Sequence, residues 1–232
     1  MIHVVTHEQR PFYAVQLEAM HRRRREVFID ERGWNLEERN GGEYDPGDDD
    51  QAIYLMMLDI AGRLQVSVRV RPVLDWSILI DEMPGCVEGD AETLRRADVW
   101  EMARHLANGA GSAIGEARTR AAEFRIALLE AAREHGVNRL VGSVDVGLLA
   151  HGIRAWLDLK PLGVPVVYPE GGAAVGYEIP VTDDLIARLR AMHGIHEAVA
   201  YEMTGLPPGG LTPAILEQAM RADRSWPLRK VA

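Results

Sequence analysis

Apolar and polar residues along the chain switch repeatedly between the two-residue period of β-strands and the longer period of α-helices. The pattern predicts strands at residues 3–6, 52–60, 65–73, 97–106, 139–144, 164–168 and 174–179. It predicts helices at residues 11–32, 116–135, 148–157, 183–192 and 213–221. Because strands and helices alternate, we expect an α/β sandwich with a mixed sheet.

Turn-forming residues mark the boundaries between these elements. Residues 61–63 join two predicted strands as a hairpin, and Gly136 is placed to end a helix. Thr182 precedes two aspartates and is a predicted N-cap. The polar stretch 35–50 contains three glycines and a proline but no apolar periodicity, so it is predicted to be a loop.

The pattern weakens after residue 193. Residues 205–210, which read Gly-Leu-Pro-Pro-Gly-Gly, interrupt the chain before the last predicted helix. We therefore expect one domain at residues 1–193 and a C-terminal helical appendage at residues 194–232.

Composition and charge narrow the range of functions. The chain has 232 residues, with 26 Lys and Arg against 35 Asp and Glu, which gives a net charge of −9. This balance disfavours nucleic-acid binding, which needs clustered cations. The single cysteine, Cys86, excludes an internal disulfide and a cysteine-based zinc site. Because the N-terminus lacks a signal-peptide pattern and no apolar run could span a bilayer, we expect a cytoplasmic protein.

Four clusters of residues are candidates for chemistry. They are the arginines 22–25 with Phe28 and Trp34, the acids Glu43, Asp45, Asp48, Asp49 and Asp50, the pair Arg69 and Arg71, and the pair Glu101 and Arg104. Taken singly, each is more typical of a solvated face or a structural ion pair. The acids lack the spacing of an EF-hand loop, and no metal site is predicted.

Residue spacing within two of the clusters predicts which of their side chains lie on the same face of a helix or strand. Arg24 and Phe28 are four residues apart and share a helix face, with Trp34 just past the predicted helix end. Glu101 and Arg104 lie on a predicted strand at an odd separation. They point to opposite faces of the sheet unless a bulge intervenes.

Read in order, the clusters resemble the acyl-homoserine-lactone synthases, the autoinducer synthases of bacterial quorum sensing. The resemblance rests on Arg24-x3-Phe28-x5-Trp34, Glu43-x-Asp45-x2-Asp48, Arg69 and Glu101-x2-Arg104. It is strong over residues 20–106 and continues faintly to about residue 179. Gly47, Ala103 and His105 depart from the aromatic, serine and phenylalanine that are common there.

This resemblance implies a GNAT-like fold, a three-layer sandwich with a mixed, mostly antiparallel twisted sheet. It implies an acyltransferase that acylates the amine of S-adenosylmethionine, closes the lactone and releases methylthioadenosine. The implied substrates are S-adenosylmethionine and either acyl-CoA or acyl carrier protein, with no prosthetic group. The acyl chain is expected beneath the sheet, near Met102, Ala103, Leu140, Val144 and Leu149.

The resemblance also implies roles for individual residues. Glu101 and Asp45 are candidates for taking the proton of the substrate amine and for holding that amine, and the sequence does not apportion the two roles. Arg104 is the third implied catalytic residue and would also brace these acids or bind the substrate carboxylate.

The other implied binding residues for S-adenosylmethionine are aromatic, acidic and basic. Phe28 and Trp34 would face the sulfonium and the adenine. Asp48 would bind the substrate or order the loop over it. Arg24 and Arg69 would brace the acids or grip the substrate carboxylate as a fork.

Two other functions also fit parts of the sequence. One is a GNAT-type N-acetyltransferase, although Leu106 stands where the pyrophosphate-binding loop of that class would begin. The other is a silent homologue that binds S-adenosylmethionine without turnover, which the departures at Gly47, Ala103 and His105 would allow.

Overall fold

One large mixed sheet organises the part of the chain that the computed structural model describes, which is residues 2–107, 114–203, 212, 214 and 229–231. The described strands are β1 (Ile2–Val5), β2 (Glu37–Arg39), β3 (Gly42–Tyr44), β4 (Ile53–Leu58), β5 (Leu64–Pro72), β6 (Val99–Ala107), β7 (Arg139–Asp145), β8 (Lys160–Pro161), β9 (Val166–Tyr168), β10 (Gly172–Pro180), β11 (Ala200–Met203) and β12 (Arg229–Val231). Strands β2 and β3 form a separate two-stranded hairpin, and the other strands belong to the large sheet. The α-helices are α1 (Ala14–Arg24), α2 (Ile114–Glu134), α3 (Val146–Trp156) and α4 (Asp183–His193).

The strand order of the sheet is β12-β11-β1-β4-β5-β6-β7-β10-β8, and β9 also pairs with β10. The pairs β12–β11, β11–β1 and β6–β7 are parallel. The other described pairs are antiparallel. The expected mixed, mostly antiparallel sheet is confirmed.

The central strand β4 is buried on both faces, which accounts for its uninterrupted apolar sequence. Leu55 belongs to the main core with residues of α2 and α4. The next residue, Met56, faces the opposite side and packs in a second core with Met20 of α1. The molecule therefore has three layers, with α2 and α4 on one face of the sheet and α1 on the other.

Two predictions for the N-terminal half need correction. The predicted helix 11–32 is three consecutive segments: a 3₁₀ helix at His7–Tyr13, α1, and a π-helix at Arg25–Glu31. The stretch 35–50, predicted to be a loop, contains the hairpin β2–β3. Each strand of this hairpin has three mostly polar residues, so no apolar alternation signals it.

Residues beyond 193, where the sequence pattern predicts a C-terminal appendage, contribute two strands to the main sheet. Strand β11 pairs with β1 inside the main sheet, and β12 pairs with β11. These residues of the expected helical appendage are therefore part of the same sheet as the rest of the domain. The predicted helix 213–221 lies largely outside the described residues. Among the described residues, no helix combines the length and apolarity needed to cross a membrane.

The strands β6 and β7 separate along their length. Val99–Glu101 pair in parallel with residues 139–141. Beyond Glu101, β6 continues alongside β5 to Ala107, whereas β7 continues alongside β10 to Asp145. Both strands are fully described, and no pairing joins them past Glu101. A wedge therefore opens between the two strands at their C-terminal halves.

Candidate active site

A buried arginine at the end of α1 organises the candidate site. Arg24 is fully buried and donates from Nε to Glu43, while its Nη1 and Nη2 donate to the two oxygens of Asp48 at 2.7 and 2.9 Å. This two-pronged geometry matches the planar guanidinium to a carboxylate. The hydroxyl of Tyr54 on β4 donates to the same Asp48 at 2.8 Å. Asp48 is therefore fixed from both α1 and the sheet.

Two further arginines join this group from the neighbouring strands β5 and β6. Arg104 donates to Glu43 Oε1 from Nη2 at 2.8 Å and lies 2.9 Å from Asp45 Oδ2. Arg69 donates to Asp45 Oδ1 and lies 3.1 Å from Asp48 Oδ1. Glu43 is completely buried and pairs with arginines on both sides. Each acid of the network therefore has at least one cationic partner, which compensates the burial of its charge.

A β-bulge explains how Arg104 reaches this network. Ser67 pairs with Leu106, but Arg69 pairs with Ala103, so two residues of β6 oppose Val68 of β5. Arg104 takes up the extra residue with a φ of 57°, a left-handed conformation that is uncommon outside glycine. The bulge turns its side chain toward the face that carries Arg69. The sequence left open whether Arg104 reaches that face, and the bulge settles it.

The aromatic pair lies beside the arginines. The π-helix ends at Glu31, Gly33 reverses the chain with a φ of 71°, and the Trp34 amide then donates to the Phe28 carbonyl at 2.9 Å. The rings of Phe28 and Trp34 stack with centroids 5.2 Å apart. The Arg104 guanidinium lies 5.3 Å from the Phe28 centroid, so the pair borders the ion network.

Glu101 has a different environment from the other acids. It is 2% exposed and accepts hydrogen bonds from the Ser77 hydroxyl at 2.8 Å, the Leu79 amide at 2.7 Å and the Ile78 amide at 3.1 Å. These amides open the π-helix Ile78–Glu82, and helix-start amides otherwise lack partners. The carboxylate therefore anchors that segment. The predicted catalytic role of Glu101 stays a prediction.

The surroundings of Asp48 favour its ionised form. Burial alone would raise the pKa of Asp48, but the charge and hydrogen bonds of Arg24 and the charge of Arg69 hold that pKa far below its usual range. The Nε and Nη2 atoms of Arg69 are buried and have no hydrogen-bond partner among the described residues. That free edge has the shape that accepts a carboxylate.

Gly47, one of the departures from the family pattern, lies directly against Trp76. A Cβ atom at Gly47 would be 2.6 Å from the Trp76 ring and 2.7 Å from the Arg69 guanidinium. The Trp76 ring also lies 5.9 Å from Arg69 and 5.7 Å from Arg71. An indole from another part of the chain therefore occupies the space beside Gly47. Sequence reasoning missed Trp76, because contact with the acidic stretch appears only in three dimensions.

The structure brings the predicted site residues to one region of the molecule. The ion network contains Arg24, Asp45, Asp48, Arg69 and Arg104, together with Glu43. Phe28 and Trp34 border this network, and Glu101 lies on the same strand as Arg104. Among the described residues, no group of three or more His, Cys, Asp or Glu is arranged to hold a metal ion.

Comparisons with known proteins agree on one family. The chain is 24% identical over 214 residues to an acyl-homoserine-lactone synthase of Rhizobium etli, which covers 91% of this chain and 100% of that protein. It is 25% identical over 173 residues to an isovaleryl-homoserine lactone synthase of Bradyrhizobium diazoefficiens, which covers 72% of this chain and 74% of that one.

Solved structures support the same assignment. The structure of MesI, a CoA-dependent acyl-homoserine lactone synthase, superimposes with a TM-score of 0.73 at 26% identity over 86% of this chain and 98% of that one. The family model described as autoinducer synthase matches residues 8–178, well over half of the sequence. The chain therefore belongs to the autoinducer synthase family.

Proposed function

We propose that this protein is an acyl-homoserine-lactone synthase. It transfers an acyl group from a thioester to the amine of S-adenosylmethionine, closes the lactone ring and releases methylthioadenosine as part of quorum sensing. The observation that carries the proposal is the meeting of the Arg24–Asp48–Arg69–Arg104 network with the stacked pair Phe28 and Trp34, next to the wedge between β6 and β7.

The network suits the charges of S-adenosylmethionine. That substrate carries a carboxylate, an ammonium and a sulfonium. The free Nε and Nη2 edge of Arg69 is our candidate partner for the carboxylate, and Asp45 is our candidate holder of the ammonium. The stacked aromatic rings attract the sulfonium by cation–π interaction. Arg24, Asp48 and Arg104 hold these groups in place through the hydrogen bonds described above.

The wedge between β6 and β7 is our candidate site for the acyl chain. Three of its expected lining residues, Met102, Val144 and Leu149, are partly buried against the main core. Leu140 lies where β6 and β7 still pair and is fully buried, so it forms the closed end of the wedge. The Tyr177 hydroxyl donates to the Met102 carbonyl at 3.3 Å and bridges the same end.

With the two substrates bound in this way, the proposed reaction has two steps. The neutral amine attacks the thioester carbonyl, the C–N bond forms, and the C–S bond breaks to release a thiol. The carboxylate oxygen of the acylated substrate then attacks its own γ-carbon, the bond from that carbon to the sulfonium breaks, and methylthioadenosine leaves. The second step needs no proton transfer, so accurate positioning of the chain supplies most of its acceleration.

We propose acyl-CoA as the donor. The support is the likeness to MesI, which is described as CoA-dependent, at 26% identity. The relative from Bradyrhizobium diazoefficiens is an isovaleryl-homoserine lactone synthase, which makes short branched acyl groups the first to test.

Product analysis tests the proposed function. The pure protein is incubated with S-adenosylmethionine and matched sets of acyl-CoA and acyl carrier protein thioesters, and the products are identified by mass spectrometry. We expect an acyl-homoserine lactone together with methylthioadenosine, formed faster from a CoA donor. An acylated amine without methylthioadenosine would indicate an N-acetyltransferase instead. Binding of S-adenosylmethionine without turnover of any donor would indicate a silent homologue.

A further inference from the structure

The side chain of Tyr177 on β10 crosses the neighbouring strand β7 and reaches β6. Tyr177 is 4% exposed and belongs to the main core, and its hydroxyl donates to the Met102 carbonyl of β6 at 3.3 Å. It pairs with Gly142 of β7, so its side chain passes directly over that glycine. A Cβ atom at Gly142 would lie 2.6 Å from the Met102 carbonyl oxygen and 2.7 Å from the Tyr177 hydroxyl oxygen. The crossing therefore requires glycine at this position of β7.

The crossing point is the vertex of the wedge between β6 and β7. Glu101 and Val141 are the last two residues that pair between these fully described strands. Met102 and Gly142 are the next residue on each strand, and both are in contact range of the Tyr177 hydroxyl. Tyr177 therefore joins the two strands at the level where they begin to separate.

The core-facing wall of the wedge comes from alternate residues of β7. Leu140 is buried in the main core and Val144 packs against it, so Gly142 lies between them on the same face. Because glycine has no side chain, the Tyr177 ring supplies the wall at this level. Burial and the charge of Glu101 raise the pKa of the Tyr177 hydroxyl, which keeps this group protonated as a donor.

The ring lies a short distance from the place where the two substrates must meet. Asp45, our candidate holder of the substrate ammonium, is 2.9 Å from Arg104. Arg104 and Met102 are two residues apart on β6, a separation of about 7 Å along a strand. An acyl chain of a few carbons spans that distance. A longer chain that follows the wedge toward its closed end meets the buried ring of Tyr177.

We propose that Tyr177 limits the length of the acyl group, so that the thioester substrate of this enzyme carries a short acyl chain. This inference rests on the proposed function and names the class of acyl donor. The volume of the ring sets the limit, and the hydrogen bond to Met102 holds the ring across the wedge. The closely packed core behind the ring has no space to receive further methylene groups.

A series of straight-chain acyl-CoA thioesters from butanoyl to dodecanoyl tests the inference. The unchanged protein should have its highest kcat/KM with butanoyl-CoA or hexanoyl-CoA. Tyr177→Leu should raise the kcat/KM for decanoyl-CoA relative to butanoyl-CoA by about 10- to 200-fold, the discrimination that one methylene gives in an apolar pocket. Tyr177→Phe keeps the ring and should keep the preference for short chains.

Tyr13→Leu is the matched control. Tyr13 is also fully buried, with its hydroxyl 2.7 Å from His3 Nδ1, but it belongs to the second core on the opposite face of the sheet. This variant should lose stability as Tyr177→Leu does and keep the acyl preference of the unchanged protein. The same acyl preference in Tyr177→Leu as in Tyr13→Leu would overturn the role of Tyr177.

The unchanged protein tests the inference even if Tyr177→Leu does not fold. A highest kcat/KM with decanoyl-CoA or dodecanoyl-CoA would overturn the length limit and leave the proposed function intact. If no donor yields a lactone, the proposed function fails, and calorimetric titration with the same acyl-CoA series tests the length limit separately. Tightest binding of the short chains would support the limit, and binding that tightens steadily up to dodecanoyl-CoA would overturn it.

Discussion

Replacing Arg24 with lysine should destabilise the protein severely although the charge is kept. Arg24 makes three hydrogen bonds to two buried carboxylates, and an ammonium cannot reproduce the planar fork that reaches both. An ammonium can engage only one of the two carboxylates, so the other carboxylate is left buried without this partner. Breaking a buried ion pair in this way costs about 3–5 kcal/mol. At about 2–4 °C per kcal/mol for a chain of this size, the melting temperature should fall by roughly 6–20 °C.

The matched control is Arg22→Lys on the same helix. Arg22 pairs with Glu18, and both side chains are more than half exposed, so the change should cost about 0–1 kcal/mol. Urea unfolding of both variants and of the unchanged protein measures the difference. Adding Asp48→Asn to Arg24→Lys should cost less than the sum of the two single changes, since both remove the same interaction. Equal unfolding free energies for Arg24→Lys and Arg22→Lys would refute this account of the network.

Three further predictions concern the aromatic pair, the packing at Gly47 and the response to acid. Trp34→Leu should weaken binding of S-adenosylmethionine by roughly 2- to 30-fold in calorimetry, the loss of one cation–π interaction; unchanged affinity would place the sulfonium elsewhere. Gly47→Ala should lower the unfolding free energy by about 1–3 kcal/mol through overpacking, and Trp76→Ala in the same chain should restore part of it; no loss in Gly47→Ala would show that the space is open. Because the folded pKa of Asp48 is depressed, its contribution to stability should be constant above about pH 4 and decline below it. The unfolding free energy of Asp48→Asn should therefore fall less steeply in acid, and parallel curves would contradict the assignment.

The local pattern of apolar, polar and turn-forming residues was enough to predict most strands of the sheet and most of the helices. The alternating or continuous apolar runs of β4, β5 and β10 gave strands close to those observed, and the Thr182 side chain accepts from the Leu185 amide as an N-cap should. The strand β11 was missed because its parallel pairing with β1 joins residues about two hundred positions apart. No local period reports such a pairing.

The site was predictable only in part. The order of the acidic, basic and aromatic residues indicated which ones would meet, but their partners depend on tertiary contacts. The bulge that turns the Arg104 side chain depends on the pairing of β6 with β5. The hydrogen bonds that engage Glu101 come from amides of the connection between these two strands. Trp76 had no sequence signal, because it reaches the site from the connection between β5 and β6.

We propose that one site couples acyl transfer to cleavage of the bond between the sulfonium and the γ-carbon of the substrate. The most direct measurement follows thiol release and methylthioadenosine formation together in one reaction with S-adenosylmethionine and the preferred acyl-CoA. We predict that the two products form in equal amounts, matched by the lactone. Thiol release without a matching amount of methylthioadenosine would show that acyl transfer and sulfonium cleavage are not coupled.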